Sequence, residues 1–315
     1  MVVCPLPRPV SREPVDGESL YVPLHVIIDF DGTLTAEESQ VDALASRSLD
    51  TLAHEIVGAS RQRLAADYQA VRERLLAAPH RYWWEVNGVI ASYCDEGAFI
   101  LNTTTLQTML RESPAYARAV AAAFPRPEYD PVVDCTNYLF HRHTAELPPR
   151  FRPGARGVLA QLAEHPERVP VVLTNSMGDK VRRLLAVLEL QYEIAVLGDT
   201  RQYEMMPEWS HRFRHPELGA IQIWPVDEHH RVDLRRPAYY RALAAAAAGG
   251  SRLVVVADTF SLPGAVPLVM GIPFFLLHTA YTPAWCARAV EAHPLGHVLE
   301  DLAHLPVELD ALSAC

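Results

Sequence analysis

An α/β fold, a Rossmann-like parallel sheet with an all-helical cap domain inserted after its first strand, is predicted by three features of the sequence. The first is a set of short, continuously apolar runs that end abruptly in a polar residue. Val26-Ile27-Ile28 runs into Asp29, Val171-Val172-Leu173 into Thr174, and Val254-Val255-Val256-Ala257 into Asp258. Runs of this length without alternation read as strands buried on both faces. The second is the helical pattern between them, over 155–162, 180–190 and 237–248, which makes the order strand–helix–strand and therefore a parallel sheet. The third is a long stretch, 37–147, in which apolar residues recur at spacings near three and four with no strand of the first kind.

Taken in order, residues 1–22 read as an N-terminal extension, since Pro5, Pro7, Pro9 and Pro14 disfavour regular structure. Residues 24–30 form the first strand. Leu44, Leu49, Leu52, Ile56, Leu64, Tyr68, Val71 and Leu75 give a helical run that Pro79 ends. The segment from His80 to Gly97, with Tyr82, Trp83, Trp84 and Tyr93, also reads as helical. Ser113-Pro114 starts a further helix. Residues 23–36 and 148–315 then make the α/β core, with strands at 168–173, 193–197, 253–257 and 273–277. The segment 199–235 is too long for a plain connection. Its apolar runs 220–226 and 231–234 flank Asp227-Glu228-His229-His230 and predict a β-hairpin.

Composition narrows the function classes. Half of the 315 residues are hydrophobic and 21% are charged, ordinary values for a globular protein. Lys plus Arg number 28 against 38 Asp plus Glu, a net charge of −10. That balance disfavours nucleic acid as a partner and leaves room for a small anion screened by a metal. Five cysteines, Cys4, Cys94, Cys135, Cys286 and Cys315, are scattered without a Cys-x-x-Cys spacing, as in a reducing, cytoplasmic setting. No stretch has the length and apolarity of a membrane span, and no membrane partner is expected. Lys180 is the single lysine.

The stretch His25–Thr35 carries the chemistry. Asp29 and Asp31 stand one residue apart at the carboxyl end of a strand, where open α/β sheets place their ligands. That spacing turns both carboxylates toward one site and Phe30 away. Gly32 permits the turn. An acidic turn after a strand would explain Asp31-Gly32 without any chemistry. Two acids this close nevertheless favour a divalent cation with oxygen ligands, and then one carboxylate is free to attack an electrophile while the other moves a proton.

The whole string Asp29-Phe30-Asp31-Gly32-Thr33-Leu34-Thr35 resembles the first motif of the haloacid dehalogenase (HAD) superfamily, in its phosphatase branch with a C1-type helical cap. The resemblance covers about 23–36 and 150–290. It implies Asp29 as nucleophile, Asp31 as general acid and base, and Mg²⁺ held by Asp29, the Asp31 carbonyl and Asp258. Thr174 matches the second motif, with Asn175 beside it, and together with Gly32 it would contact the phosphoryl group. The cation of the third motif would be Arg236, with Arg235 and Lys180 as alternatives. The fourth motif is incomplete, because Leu262 stands where a second acid is usual and Ala257 replaces a glycine. In the insert, Trp83 and Trp84 are candidates for substrate contact, although an aromatic cluster also suits a small core. Glu37 and Glu38 begin the linker into the insert and are candidates for lining the site. His141-Arg142-His143 is a further candidate for substrate contact, with no Cys or carboxylate spacing that would make His141 and His143 metal ligands, and His229-His230 reads as a hairpin turn on the surface.

The implied activity is Mg²⁺-dependent hydrolysis of a phosphomonoester of a small metabolite through an aspartyl-phosphate. A phosphotransferase or phosphonate-cleaving relative, or a degenerate binding protein, are the alternatives. Substrate identity and oligomeric state are not legible.

Overall fold

The computed structural model describes residues 22–314, so the N-terminal extension expected over 1–22 lies almost wholly outside the described residues. Six parallel strands form the central sheet: β1 (Leu24–Ile28), β4 (Arg168–Leu173), β5 (Ala195–Leu197), β10 (Arg252–Ala257), β11 (Phe274–Leu277) and β12 (Gly296–Leu299). Their order is β12-β11-β10-β1-β4-β5. The chain moves outward from β1 through β4 to β5, then returns to the other side of β1 at β10. The switch point therefore lies between β1 and β10, and a crevice opens there at the carboxyl ends.

Both faces of the sheet are covered, which is why its strands are apolar throughout. Ile27, Val171, Val255 and Phe274 point into one core, with Tyr239 and Leu243 of α8 (Pro237–Ala246) and Val290 of α10 (Ala284–Glu291). Val26, Ile28, Val172 and Val254 point into the other, with Leu159 of α6 (Ala155–Glu164), Val181 of α7 (Gly178–Ala186) and Leu309 of α11 (Leu305–Ala314). β12 is a strand beyond the five read from the sequence; four residues at a sheet edge leave little pattern to read.

The insert between β1 and β4 contains α1 (Val41–Thr51), α2 (Arg61–Ala77), α3 (Ala98–Glu112), α4 (Pro114–Ala123) and α5 (Pro131–Glu146). These helices share a core of their own that includes Leu49, Leu64, Leu101 and Leu139. Ser113 caps α4 by accepting from the Tyr116 amide. The insert is not all helical. Trp83–Val86 and Val89–Tyr93 pair as an antiparallel hairpin, β2–β3. Asn87 and Gly88 form its turn, with φ of 52° and 72°. Asn-Gly is the pair that takes two positive φ angles in a tight hairpin, and the flanking residues are aromatic and β-branched. The aromatic spacing suggested a helix; the turn chemistry and the strand propensity prevail.

Two linkers join insert and core, and they run antiparallel. The Ala36 amide donates to the Arg150 carbonyl at 2.6 Å, and the Arg152 amide donates to the Leu34 carbonyl at 2.9 Å. Across them the Arg152 guanidinium grips both oxygens of Glu38, at 2.8 and 3.1 Å.

The segment after β5 carries two hairpins. β8 (Ile223–Pro225) pairs with β9 (Arg231–Asp233) around the expected Asp227–His230 turn. A second hairpin, β6 (Phe213–His215) with β7 (Gly219–Ile221), precedes it. Among the described residues no helix is long and apolar enough to cross a membrane.

Candidate active site

Asp29 and Asp258 stand at the carboxyl ends of adjacent strands, β1 and β10, and Thr174 stands at the end of β4 on the other side of β1. The strand pairing alone brings these three together. With Asp31, Glu37 and Asn175 they line one cavity of about 120 Å³ between sheet and insert.

The turn after β1 is built around Asp258. Gly32 has φ +81°, and a Cβ there would sit 2.0 Å from the Asp258 Oδ2. Glycine is thus needed twice over, for the backbone and for the space. The Thr33 hydroxyl donates to Asp258 Oδ1 at 3.2 Å and accepts from the Asp258 amide at 3.0 Å. Arg152 Nε donates to the Gly32 carbonyl at 2.8 Å, so the grip on Glu38 also steadies this turn.

Asp31 is held differently. Its Oδ2 accepts from Ser176 Oγ at 2.7 Å. Ser176 in turn accepts from Lys180 Nζ at 3.2 Å, and the same ammonium donates to Thr144 Oγ1 of α5 at 3.0 Å. Lys180 therefore reaches Asp31 through one hydroxyl. Thr174 accepts from the Ser176 amide at 3.1 Å, as a capping hydroxyl does. An accepting hydroxyl still has its own proton to donate, so capping and phosphoryl contact are compatible. Asn175 lines the cavity and accepts from the Gln202 amide at 2.7 Å.

Arg236, the first choice for the cation, does not reach the cavity. Its guanidinium is fully buried and is used up on three carbonyls: Asp233 at 3.1 Å, Gln202 at 2.8 Å and Ala91 at 2.7 Å. It fastens β3 to the core. Arg235 pairs with Asp233 and donates to the Pro207 carbonyl. Of the three cations considered, only Lys180 enters the hydrogen-bond network of the carboxylates.

Trp83 and Trp84 separate as alternate residues of a strand must. Trp84 lines the cavity, whereas Trp83 packs against the core on the α8 side of the sheet. Glu37 lines the cavity and accepts from the Ala98 and Phe99 amides at the start of α3. Glu38 turns to Arg152 instead. His141 lies on the cavity wall, His143 meets Thr51 Oγ1 at 3.0 Å, and His229-His230 sit at the β8–β9 turn away from the site. Ser176 and Arg152 were not singled out from the sequence. The hydroxyl run Thr174-Asn175-Ser176 offered a signal for the first; nothing marked the second.

The electrostatics of the cavity are one-sided. Burial, then the nearby Asp258 and Asp31 charges, push the Asp29 carboxyl well above the usual range. Burial and the Asp258 charge do the same to Glu37. Asp258 is pushed up to about 7 by burial, against the pull of Arg152. No arginine or lysine lines the cavity. Carboxylates so placed are stable as anions only beside a cation. Among the described residues no three His, Cys, Asp or Glu side chains converge as a ready metal site. The set implied by the resemblance needs only two side chains, Asp29 and Asp258, with the Asp31 carbonyl, and these residues fit a hard divalent ion.

No protein-family model matches the chain, and no curated protein does. Among solved structures, the chain is similar to the candidate HAD hydrolase YfnB of Bacillus subtilis, determined bound to magnesium. That match has a TM-score of 0.47 and 13% identity over 92% of this chain and 99% of that one. A haloacid dehalogenase-like hydrolase of Streptococcus pneumoniae gives 0.47 and 11%, covering 93% and 98%. One from Xanthomonas campestris gives 0.43 and 17%, covering 93% and 97%. At such scores and identities the chemistry has to be read from the side chains themselves. The strand order, the insert after β1 and the polar residues that end β1, β4 and β10 make the chain a Rossmann-like parallel α/β protein with its candidate site at the carboxyl ends of three adjacent strands.

Proposed function

We propose that the protein is a Mg²⁺-dependent hydrolase of phosphomonoesters of small metabolites, acting in the cytoplasm. One observation carries this: Asp29, Asp31, Thr174 and Asp258, from three adjacent strand ends, share a cavity in which the carboxylates have no basic partner on the wall.

In this reading Asp29 attacks phosphorus in line, and the bond to the ester oxygen breaks. Asp31 gives its proton to the departing alcohol. It then takes a proton from water, whose oxygen attacks the aspartyl-phosphate, releasing phosphate and restoring Asp29. The Ser176 hydroxyl fixes one Asp31 oxygen and leaves the other for proton transfer. Thr174 donates to a phosphoryl oxygen. A Mg²⁺ bound by Asp29, Asp258 and the Asp31 carbonyl would keep Asp29 ionised and draw charge from the phosphoryl oxygens. Phosphate release from p-nitrophenyl phosphate, present in Mg²⁺ and lost in chelator, tests the reading. Saturable Mg²⁺ binding without any turnover would reject hydrolysis in favour of a binding protein.

Leu262 bears on that second reading, since an apolar residue replaces the usual acid. It is 6% exposed and lies on the cavity wall, so an acid there would face the metal ligands. Leu262→Asp is expected to enlarge the rise in melting temperature that Mg²⁺ produces and to lower the melting temperature in chelator, because it adds a buried charge. Melts in both conditions check this; an unchanged Mg²⁺ response would place position 262 outside the metal's reach.

A further inference from the structure

Beyond the carboxylates, the cavity wall mixes apolar with neutral polar side chains and carries no Arg or Lys. α3 contributes Phe99, Ile100 and Thr103, and α5 contributes Asn137, Phe140 and His141, each set on one helical face. Trp84 of β2 closes one side against Tyr203 of the core, ring centroids 5.2 Å apart. Leu262 and Pro263 complete the floor.

We propose that the substrate body is a neutral one, with an aromatic or branched aliphatic surface, one or two hydrogen-bonding groups and no second anionic group. The inference rests on the hydrolase reading for the phosphate half of the substrate. A carboxylate or second phosphate on the body would enter a cavity that already holds Asp29, Asp31, Glu37 and Asp258 and offers no guanidinium or ammonium. Burying an unpaired charge beside like charges is costly. His141 is a poor counter-charge, because burial and then Lys180 lower its pKa against the opposing pull of Asp31 and Asp199. Lys180 itself is turned to Thr144 and Ser176.

Neutral polar groups are provided for. Trp84 Nε1 and His141 Nδ1 are buried and have no partner in the protein. Orphaned buried groups of this kind call for an explanation. On the wall itself, the Thr103 hydroxyl and the Asn137 amide can pair with a ligand hydroxyl or carbonyl. The rings of Trp84, Phe99 and Phe140 offer flat apolar area for the rest of the body.

Benzyl phosphate and phosphoglycolate, both primary alkyl esters, separate the two body types. With Mg²⁺, kcat/KM is expected to be about 100-fold higher for benzyl phosphate. Trp84→Ala should shrink that ratio about tenfold, and Ile100→Arg should shrink it by favouring phosphoglycolate. Calorimetric titration of benzylphosphonate and phosphonoacetate into the Mg²⁺-containing protein reads the same preference without turnover. Tighter benzylphosphonate binding supports the inference even if no ester is hydrolysed, in which case only the hydrolase reading fails. Equal or tighter binding of phosphonoacetate, equal rates on the two esters, or binding of neither phosphonate overturns it.

Discussion

Asp29→Asn is expected to lower phosphate release by about 10³-fold or more, with no loss of melting temperature in chelator. An amide has almost no nucleophilicity toward phosphorus, and loss of a nucleophile removes the step on which the other groups act. The fold should survive because Asn keeps the shape of Asp and removes a charge that burial already disfavours. Initial rates on any accepted ester in Mg²⁺, with thermal melts of both proteins in chelator, decide the matter. Activity within tenfold of wild type would remove Asp29 from the nucleophile's role and the aspartyl-phosphate with it.

Asp258→Asn is expected to reverse sign with conditions. In the fold the Asp258 carboxyl keeps its proton up to about pH 7, against an ordinary value of 3.8. Between these values the folded chain binds the extra proton, so stability falls as pH rises through the window and stays low above it. Asn has no such group. In chelator, the variant should melt no higher than wild type near pH 4 and several degrees higher at pH 8. In Mg²⁺ at pH 8 the order should invert, because wild type gains binding energy that the variant has lost. Calorimetric Mg²⁺ titrations alongside the melts should show near-total loss of affinity in the variant. Equal affinity would mean that Asp258 is not a ligand.

What was legible follows from how local each signal is. Asp29, Thr174 and Asp258 could be read because each ends an apolar run, and parallel strands share their carboxyl end; the fold then aligns them without further information. The β2–β3 hairpin is legible in principle at Asn87-Gly88, but the spacing of the surrounding aromatics fits a helix as well. The choice between Arg236 and Lys180 was not legible. Both lie near motif positions in the chain, and only the packing shows that Arg236 is committed to the Ala91, Gln202 and Asp233 carbonyls while Lys180 is turned toward Ser176. Glu37 was placed at the site by its nearness to the first motif, but its cap on α3 is a long-range contact that no spacing reveals.

The bridge made by Lys180 has a practical use. Its ammonium joins Thr144 of the insert to Ser176 of the core, is 5% exposed, and belongs to the only lysine in the chain. Amine acylation at this side chain requires insert and core to part. A reagent such as acetic anhydride, followed by peptide mass spectrometry, would thus report opening of the cleft at one built-in position, with no added probe. Occupancy of the site by Mg²⁺ and phosphate should slow that labelling, and the rate with and without them would measure how often the two halves separate.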